Sequence, residues 1–206
     1  MNALEHCFIY GIVDLGYVKP DAVTEMTKKL VRGGIDLLQL RAKGVPTDEV
    51  RRIAQVMVAI TQPAGVPFIL NDYPQLLADV PAEGCHLGQE DGSIADARRV
   101  AGRPIIVGRS THSIEQAITA EKEGADYIGY GPLFPTPTKP NAVAVGLSGL
   151  RKLHAQVRIP IFCIGGIKEN NLRKVTEAGG ERVCIVSDLL NAPDPYAKVR
   201  AVKADL

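Results

Sequence analysis

Eight short apolar segments recur along the chain, and segments whose apolar residues follow helical spacing separate them. Each apolar segment is nearly continuous rather than alternating, which is typical of parallel strands whose outer face is covered by helices. Polar residues follow most of them, and in a closed β/α barrel these C-terminal ends meet on one face, where catalytic sites lie. The predicted strands are Phe8–Val13, Leu37–Leu40, Pro67–Leu70, Cys85–Leu87, Ile105–Val107, Tyr127–Tyr130, Ile161–Ile164 and Val183–Val186.

The intervening segments predict helices, and glycines such as Gly102 and Gly124 follow several of them, where a left-handed C-cap suits glycine. Eight repeats of strand and helix predict an α/β fold, a (β/α)8 TIM barrel forming a single domain over residues 1–206. An open parallel sheet remains the alternative, because periodicity does not report closure. The predicted helices include Val23–Val31, Val50–Ile60, Ile114–Glu123, Leu147–His154, Asn170–Ala178 and Pro195–Val202.

Composition narrows the range of partners and locations. The 206 residues carry a formal net charge of +1, which favours neither nucleic acid nor a membrane surface as partner. We see no signal peptide and no apolar run of about 18 residues, so we expect a cytoplasmic protein. The four cysteines lack the close spacing of a metal or disulfide site. The oligomeric state stays open, although barrel enzymes often form homodimers.

Basic residues follow the second strand. Gln39 and Arg41 alternate along the chain, so their side chains share a face, and Lys43 comes two residues later. Guanidinium and ammonium groups suit phosphate oxygens. Lys139, in the long proline-containing loop 131–141 after the sixth strand, lies within reach of the same face. The alternative is a solvated basic loop.

Two carboxylates follow neighbouring strands. Asp72 ends the third strand and Asp91 follows the fourth, so the two side chains are expected to lie together. Close carboxylates repel unless a cation lies between them, and Mg²⁺ takes oxygen ligands, often one or two carboxylates with substrate phosphates. The alternative is that each aspartate caps a helix.

Glycine and serine follow the last two strands. Gly165–Gly166 and Ser187 lie where barrels often bind phosphate through backbone N–H groups. The alternative for the double glycine is an ordinary tight turn. Two histidines are also candidates: a structural role is favoured for His112 over an acid or base role, and His86 is expected to be a packed core residue.

Six motifs together resemble the thiamine-phosphate synthase (thiamine-phosphate pyrophosphorylase) family from the first strand to the last. Each follows a different strand, and they occur in the family's order. They are Gln39-Leu-Arg-Ala-Lys43, Asn71-Asp72, His86-Leu-Gly-Gln-Glu-Asp91, Gly108-Arg-Ser-Thr-His-Ser113, the loop 131–139 and Ile164-Gly-Gly-Ile167.

The resemblance implies a transferase that joins hydroxymethylpyrimidine diphosphate to hydroxyethylthiazole phosphate and releases pyrophosphate, in thiamine biosynthesis. It implies Mg²⁺ bound by Asp72 and Asp91. The family mechanism is dissociative, with a pyrimidine methylene cation captured by the thiazole nitrogen, and it needs no protein nucleophile.

The resemblance also implies roles for further residues. Gln39, Arg41, Lys43, Asn71 and Lys139 are expected to hold the diphosphate, and Ser110 to lie near the pyrimidine and its leaving group. Arg41, Lys43, Ser110 and Lys139 are the expected catalytic residues. The thiazole phosphate is expected to lie against Thr136, Thr138, Gly166, Val186 and Ser187.

Two other functions remain open. Thiazole tautomerases, a related family, share the barrel and use a histidine that matches His112. Their arginine matches Arg109. They commonly lack the acidic pair that Asp72 and Asp91 form here. A non-catalytic barrel that binds a thiamine precursor is the other alternative. Asp188, directly after Ser187, adds a negative charge beside the expected phosphate site.

Overall fold

Eight parallel strands close into a barrel in chain order, and the last strand pairs with the first. The computed structural model describes residues 4–136, 138 and 142–206. The strands are β1 Ile9–Asp14, β2 Leu37–Arg41, β3 Phe68–Asn71, β4 Gly84–Leu87, β5 Ile106–Thr111, β6 Tyr127–Tyr130, β7 Ile161–Ile164 and β8 Arg182–Ile185. The predicted barrel is confirmed, and the alternative of an open parallel sheet is wrong.

Helices connect the strands on the outside of the barrel. The α-helices are α1 Val23–Gly33, α2 Thr47–Thr61, α3 Ile94–Ala101, α4 Ile114–Lys122, α5 Leu150–Gln156, α6 Glu169–Glu177, α7 Ser187–Leu190 and α8 Pro195–Ala204. Two short 3-10 helices, Pro20–Ala22 and Pro74–Ala78, complete the connections. Left-handed glycines end α1 and α3, at Gly34 and Gly102, as the glycine pattern predicts.

Two hydrophobic cores follow from the alternation of side chains along each strand. The larger core packs the outward faces of the strands against the helices. The smaller core fills the barrel interior, where the rings of Tyr10, Tyr127 and Phe162 meet edge to face at centroid distances of 5.2–5.8 Å. This aromatic cluster fills the interior beneath the C-terminal ends of the strands.

Element boundaries differ from the prediction in one place that matters for function. The apolar pattern predicts that β5 ends at Val107, but its ladder with β6 continues to the pair Thr111–Tyr130. Arg109 and Ser110 therefore belong to the strand itself. Their side chains point to opposite faces of the barrel wall, and only Ser110 faces the interior.

No helix in the described part of the chain is long and apolar enough to cross a membrane. All four cysteines are buried free thiols.

Candidate active site

A pocket opens at the C-terminal ends of the strands and collects side chains from all around the barrel. Most of the residues predicted from the sequence line it. Those residues are Gln39, Arg41, Asn71, Ser110, Thr136, Thr138, Gly166, Val186 and Ser187. Asp14, His86 and His112 line the pocket as well.

Arg41, the last residue of β2, is held by an ion pair with Asp14, the last residue of β1. Arg41 Nη1 lies 2.6 Å from Asp14 Oδ2, and Asp14 Oδ1 accepts a hydrogen bond from the backbone N–H of Gly16. The strands are in register, with Asp14 opposite Arg41, so the pairing follows from the sheet itself. Asp14 is not among the residues predicted from the sequence, although it is a polar residue at the end of an apolar strand like the others.

Gln39 and Ser110 lie deeper in the barrel, one on either side. Gln39 is almost completely buried, and its Nε2 donates to the hydroxyl of Tyr10 at 2.5 Å. The Ser110 hydroxyl lies 2.9 Å from His86 Nε2. His86 is therefore the packed, hydrogen-bonded residue that was predicted, and it also lines the pocket.

Asp72 and Asp91 come together beside Lys43, which forms an ion pair with Asp72. Burial raises the pKa of Asp72; Lys43 opposes this, whereas the contact with Asp91 adds to it. Burial would also raise the pKa of Asp91, but Asp72, the Gly88 N–H and the charges of Lys43 and Arg109 hold it below its usual value. The two carboxylates thus favour sharing one positive charge, as a proton or a bound cation.

The conformations of the two aspartates argue against the capping alternative. The cap of α3 is Ser93, whose Oγ accepts from the Asp96 N–H at 3.0 Å, and the 3-10 helix after Asp72 has no side-chain cap. Asp72 instead adopts a left-handed backbone with φ of 62°, which is uncommon outside glycine and concentrates at functional sites. Asp91 accepts from the Gly88 N–H at 2.7 Å, which holds its carboxylate at the turn.

The double glycine allows the loops after β6 and β7 to touch. Gly165 and Gly166 both have positive φ, and a Cβ at Gly166 would lie 2.7 Å from Phe134 Cβ and from the Pro135 carbonyl oxygen. The close approach, rather than a turn alone, therefore requires glycine here. It brings Thr136 beside Gly166 at the edge of the pocket.

Thr138 and Ser187 complete this side of the pocket. The Thr138 hydroxyl lies 3.0 Å from the hydroxyl of Tyr17, in the segment after β1. Ser187 follows β8 and lines the pocket, whereas Asp188 does not. The Asp188 carboxylate instead accepts from the Glu169 N–H and lies 3.8 Å from Lys198 Nζ, so its charge is directed towards α6 and α8.

Three other predicted residues have different outcomes. Lys139 lies outside the described residues. Arg109 lies outside the pocket, where its guanidinium donates to the Gly92 carbonyl and supports the loop that carries Asp91. His112 does line the pocket, with Nδ1 2.5 Å from the Gly131 carbonyl oxygen.

The fold and the pocket define the class of protein. A (β/α)8 barrel with arginine, lysine and two carboxylates at the C-terminal ends of its strands has the composition of an enzyme site for phosphorylated substrates. A sequence model described as thiamine monophosphate synthase matches residues 9–189. The chain belongs to this family.

Individual relatives agree with the family assignment. The chain is 42% identical to a thiamine-phosphate synthase of Thermus thermophilus over 188 residues, which covers 90% of both chains. It is 39% identical to that of Shouchella clausii over 197 residues, covering 95% of this chain and 94% of the relative. Among solved structures, thiamine phosphate pyrophosphorylase from Pyrococcus furiosus matches with a TM-score of 0.87 and 33% identity, covering 98% of this chain and 95% of that one.

These comparisons favour one of the three functions that the sequence leaves open. The family model and the relatives described above are named as synthases rather than as tautomerases or binding proteins.

Proposed function

We propose that the chain joins hydroxymethylpyrimidine diphosphate to hydroxyethylthiazole phosphate, giving thiamine phosphate and pyrophosphate. The observation that carries this proposal is the meeting of Asp72, Asp91 and Lys43. Lys43 and Asp72 follow Arg41 and Asn71 closely in the chain, and these two residues line the pocket. A diphosphate leaving group is stabilised by nearby positive charges. This part of the site provides basic side chains, together with two carboxylates that suit a bound metal cation.

Arg41 and Lys43 bind the diphosphate and neutralise the charge that develops on it as it leaves. Asp14 fixes the guanidinium of Arg41 before substrate arrives, so less side-chain freedom is lost on binding. Asn71, at the end of β3, adds an amide that lines the same pocket. Lys139 is assigned to the diphosphate as well, on the basis of the family resemblance.

The residues present fit a magnesium ion. Asp72 and Asp91 would hold it, and their shared need for positive charge supports this fit. No cluster of three or more potential ligand residues occurs in the described part of the chain, but Mg²⁺ often takes only two carboxylates and completes its shell with phosphate oxygens and water. When bound, the ion supplies charge neutralisation to the leaving diphosphate.

The second substrate occupies the opposite side of the pocket. Thr136, Thr138 and Ser187 supply hydroxyl groups, and Gly166 and Val186 supply backbone, for the thiazole phosphate. Gln39 and Ser110 also line the pocket; Gln39 is assigned to the diphosphate, and Ser110 to the pyrimidine and its leaving group.

The reaction itself asks for positioning rather than for a protein nucleophile. The bond between the pyrimidine methylene carbon and the diphosphate oxygen breaks, with its electron pair leaving on oxygen. The lone pair of the thiazole nitrogen then forms the new bond to that carbon. The protein contributes by aligning the two reactants and stabilising the departing anion.

A coupling assay tests the proposal. Purified protein, both substrates and Mg²⁺ should give thiamine phosphate and pyrophosphate in equal amounts, and omission of the metal should abolish both. Isomerisation of the thiazole phosphate without coupling would transfer the function to a tautomerase and to His112. We also propose that the enzyme works in the cytoplasm, where its four buried thiols would remain reduced.

A further inference from the structure

A continuous hydrogen-bond chain crosses the barrel interior beneath the pocket and joins two residues that line it. Gln39 Nε2 donates to Tyr10, whose hydroxyl lies 2.8 Å from that of Tyr127. The Tyr127 hydroxyl lies 3.1 Å from His86 Nδ1, and His86 Nε2 lies 2.9 Å from the Ser110 hydroxyl. We call these five residues, from β2 to β5 by way of β1, β6 and β4, the interior chain.

The interior chain is built into the barrel wall rather than formed by chance contact. Tyr10 and Tyr127 are almost fully buried, and His86 and Tyr127 flank Gly108 in the registers of β4–β5 and β5–β6. A Cβ at Gly108 would overlap the Tyr127 ring and lie 2.5 Å from His86 Nδ1. The missing side chain at Gly108 is therefore what allows the two rings to meet.

Counting donors gives the chain a direction. An amide nitrogen only donates, so the Tyr10 oxygen accepts from Gln39. Tyr127 is the other hydrogen-bond partner of the Tyr10 hydroxyl in the described part of the chain, so Tyr10 donates to it. Tyr127, having accepted, donates to His86 Nδ1. With the Gln39 amide in this orientation, any other arrangement leaves the buried Tyr10 proton without an acceptor, which is costly.

The direction fixes what Ser110 offers to a ligand. When His86 Nδ1 accepts, the neutral ring carries its proton on Nε2, and that N–H donates to the Ser110 oxygen. The hydrogen of the Ser110 hydroxyl is then directed away from His86, towards the pocket. A reversed amide at Gln39 would reverse every donor, and Ser110 would present lone pairs instead.

We propose that Tyr10, Tyr127 and His86 are positioning residues that hold the Ser110 hydroxyl as a hydrogen-bond donor to the diphosphate leaving group. This inference rests on the proposed function for the identity of the ligand, whereas the direction of the interior chain follows from the orientation of the Gln39 amide. This positioning role gives a reason for the two phenols and the imidazole in an otherwise hydrophobic barrel interior.

The first test needs no activity. Nitrogen NMR of ¹⁵N-histidine-labelled protein, with His86 assigned by loss of its signals in His86→Gln, reports the tautomer directly. We expect a neutral ring protonated on Nε2 at neutral pH. A ring protonated on Nδ1, or on both nitrogens, would overturn the proposal, whatever the enzyme's activity.

The second test is a double-variant cycle in the coupling assay. Ser110→Ala removes the proposed donor. Tyr127→Phe keeps the aromatic ring but removes the hydroxyl that fixes the tautomer of His86. We expect Tyr127→Phe to lower kcat about tenfold with little change in KM, as for one hydrogen bond made mainly in the transition state. In the Ser110→Ala background, Tyr127→Phe should have no further effect. If the double variant instead lost kcat by the product of the two single losses, the positioning role would be overturned.

Controls separate this role from a structural one. Tyr130→Phe removes a phenol from the same strand but outside the interior chain, so kcat should be unchanged. Tyr10→Phe replaces Tyr127→Phe if the latter does not fold, with the same expected non-additivity. Absence of turnover by the wild-type protein would count against the proposed function, whereas the NMR result would still decide the direction of the chain.

Discussion

Asp14 and Arg41 form an ion pair 2.6 Å long at the ends of neighbouring strands, and Asp14 is only 2% exposed. A buried carboxylate whose partner is an arginine at the pocket has two effects. It fixes the plane of the guanidinium, and it spares the site an unpaired charge when no substrate is bound.

Asp14→Asn should therefore weaken the site and the fold together. We expect the free energy of unfolding to fall by about 1–3 kcal/mol, because Arg41 loses a largely buried partner. The value of kcat/KM for the diphosphate substrate should fall about tenfold, because Arg41 is no longer aligned. Denaturant unfolding and steady-state kinetics measure the two effects.

The matched control for this prediction is Asp48→Asn. Asp48 also pairs with an arginine, Arg51, but its side chain is 93% exposed. Exposed pairs contribute little, so stability should change by less than about 0.5 kcal/mol and activity should not change. Equal effects of the two variants would show that the position of the Asp14 pair beside the pocket has no importance.

Asp91→Ala should abolish magnesium-dependent turnover and leave the barrel folded. Asp91 shares the proposed metal with Asp72, and loss of one carboxylate of two should reduce the rate about 100-fold or more, since a metal supplies several kcal/mol of charge stabilisation. The coupling assay across a magnesium titration measures the change, with circular dichroism as the check on folding. Asp96→Ala, which removes an exposed carboxylate from α3, is the control. Full activity in Asp91→Ala would make the metal assignment wrong.

The barrel was predictable because its signals are local. Each strand is a short apolar segment, each helix repeats its apolar residues at helical spacing, and a polar residue marks the end of most strands. The same rule brings Arg41, Asn71 and Ser187 to one face without any knowledge of their contacts.

The features that the sequence did not reveal depend on partners that are distant along the chain. Tyr10 and Tyr127 look like ordinary core aromatics until the closed barrel brings their hydroxyl groups together. The sequence does not single out Asp14, because its role comes from its contact with Arg41, the residue opposite it on the neighbouring strand. The length of β5 is likewise set by its pairing with β6 rather than by its own hydrophobicity.

Buried phenols should make the fold sensitive to alkaline pH. Burial raises the pKa values of Tyr10 and Tyr127 well above 10.0, the ordinary value for tyrosine. The neutral forms are thus favoured in the native state, so their contribution to stability is complete below pH 10 and is lost as the pH rises above it. Ultraviolet titration should show these two phenols ionising only as the protein unfolds, with Tyr10→Phe removing one of them. Their titration in the folded protein near pH 10 would contradict the burial.

The cysteines should be inert in the native protein. Burial raises the pKa of Cys7 to about 11, with a smaller contribution from Asp36, and raises the pKa values of Cys85 and Cys163 to about 12. Since the thiolate is the reactive form, a disulfide reagent at neutral pH should label none of the four thiols quickly. All four should react after unfolding in denaturant. Rapid loss of activity on labelling the native protein would show a thiol that the fold exposes.

Gly108→Ala tests whether the barrel wall depends on an absent side chain. The added Cβ would overlap the Tyr127 ring and crowd His86, so one of the two rings must move. We expect the free energy of unfolding to fall by about 1–3 kcal/mol, as for overpacked cores. Gly149→Ala is the control, because its Cβ would meet nothing closer than the Tyr130 hydroxyl at 3.5 Å. If Gly108→Ala were as stable as Gly149→Ala, the two rings would have room to separate, and the contact between them would not be enforced by the wall.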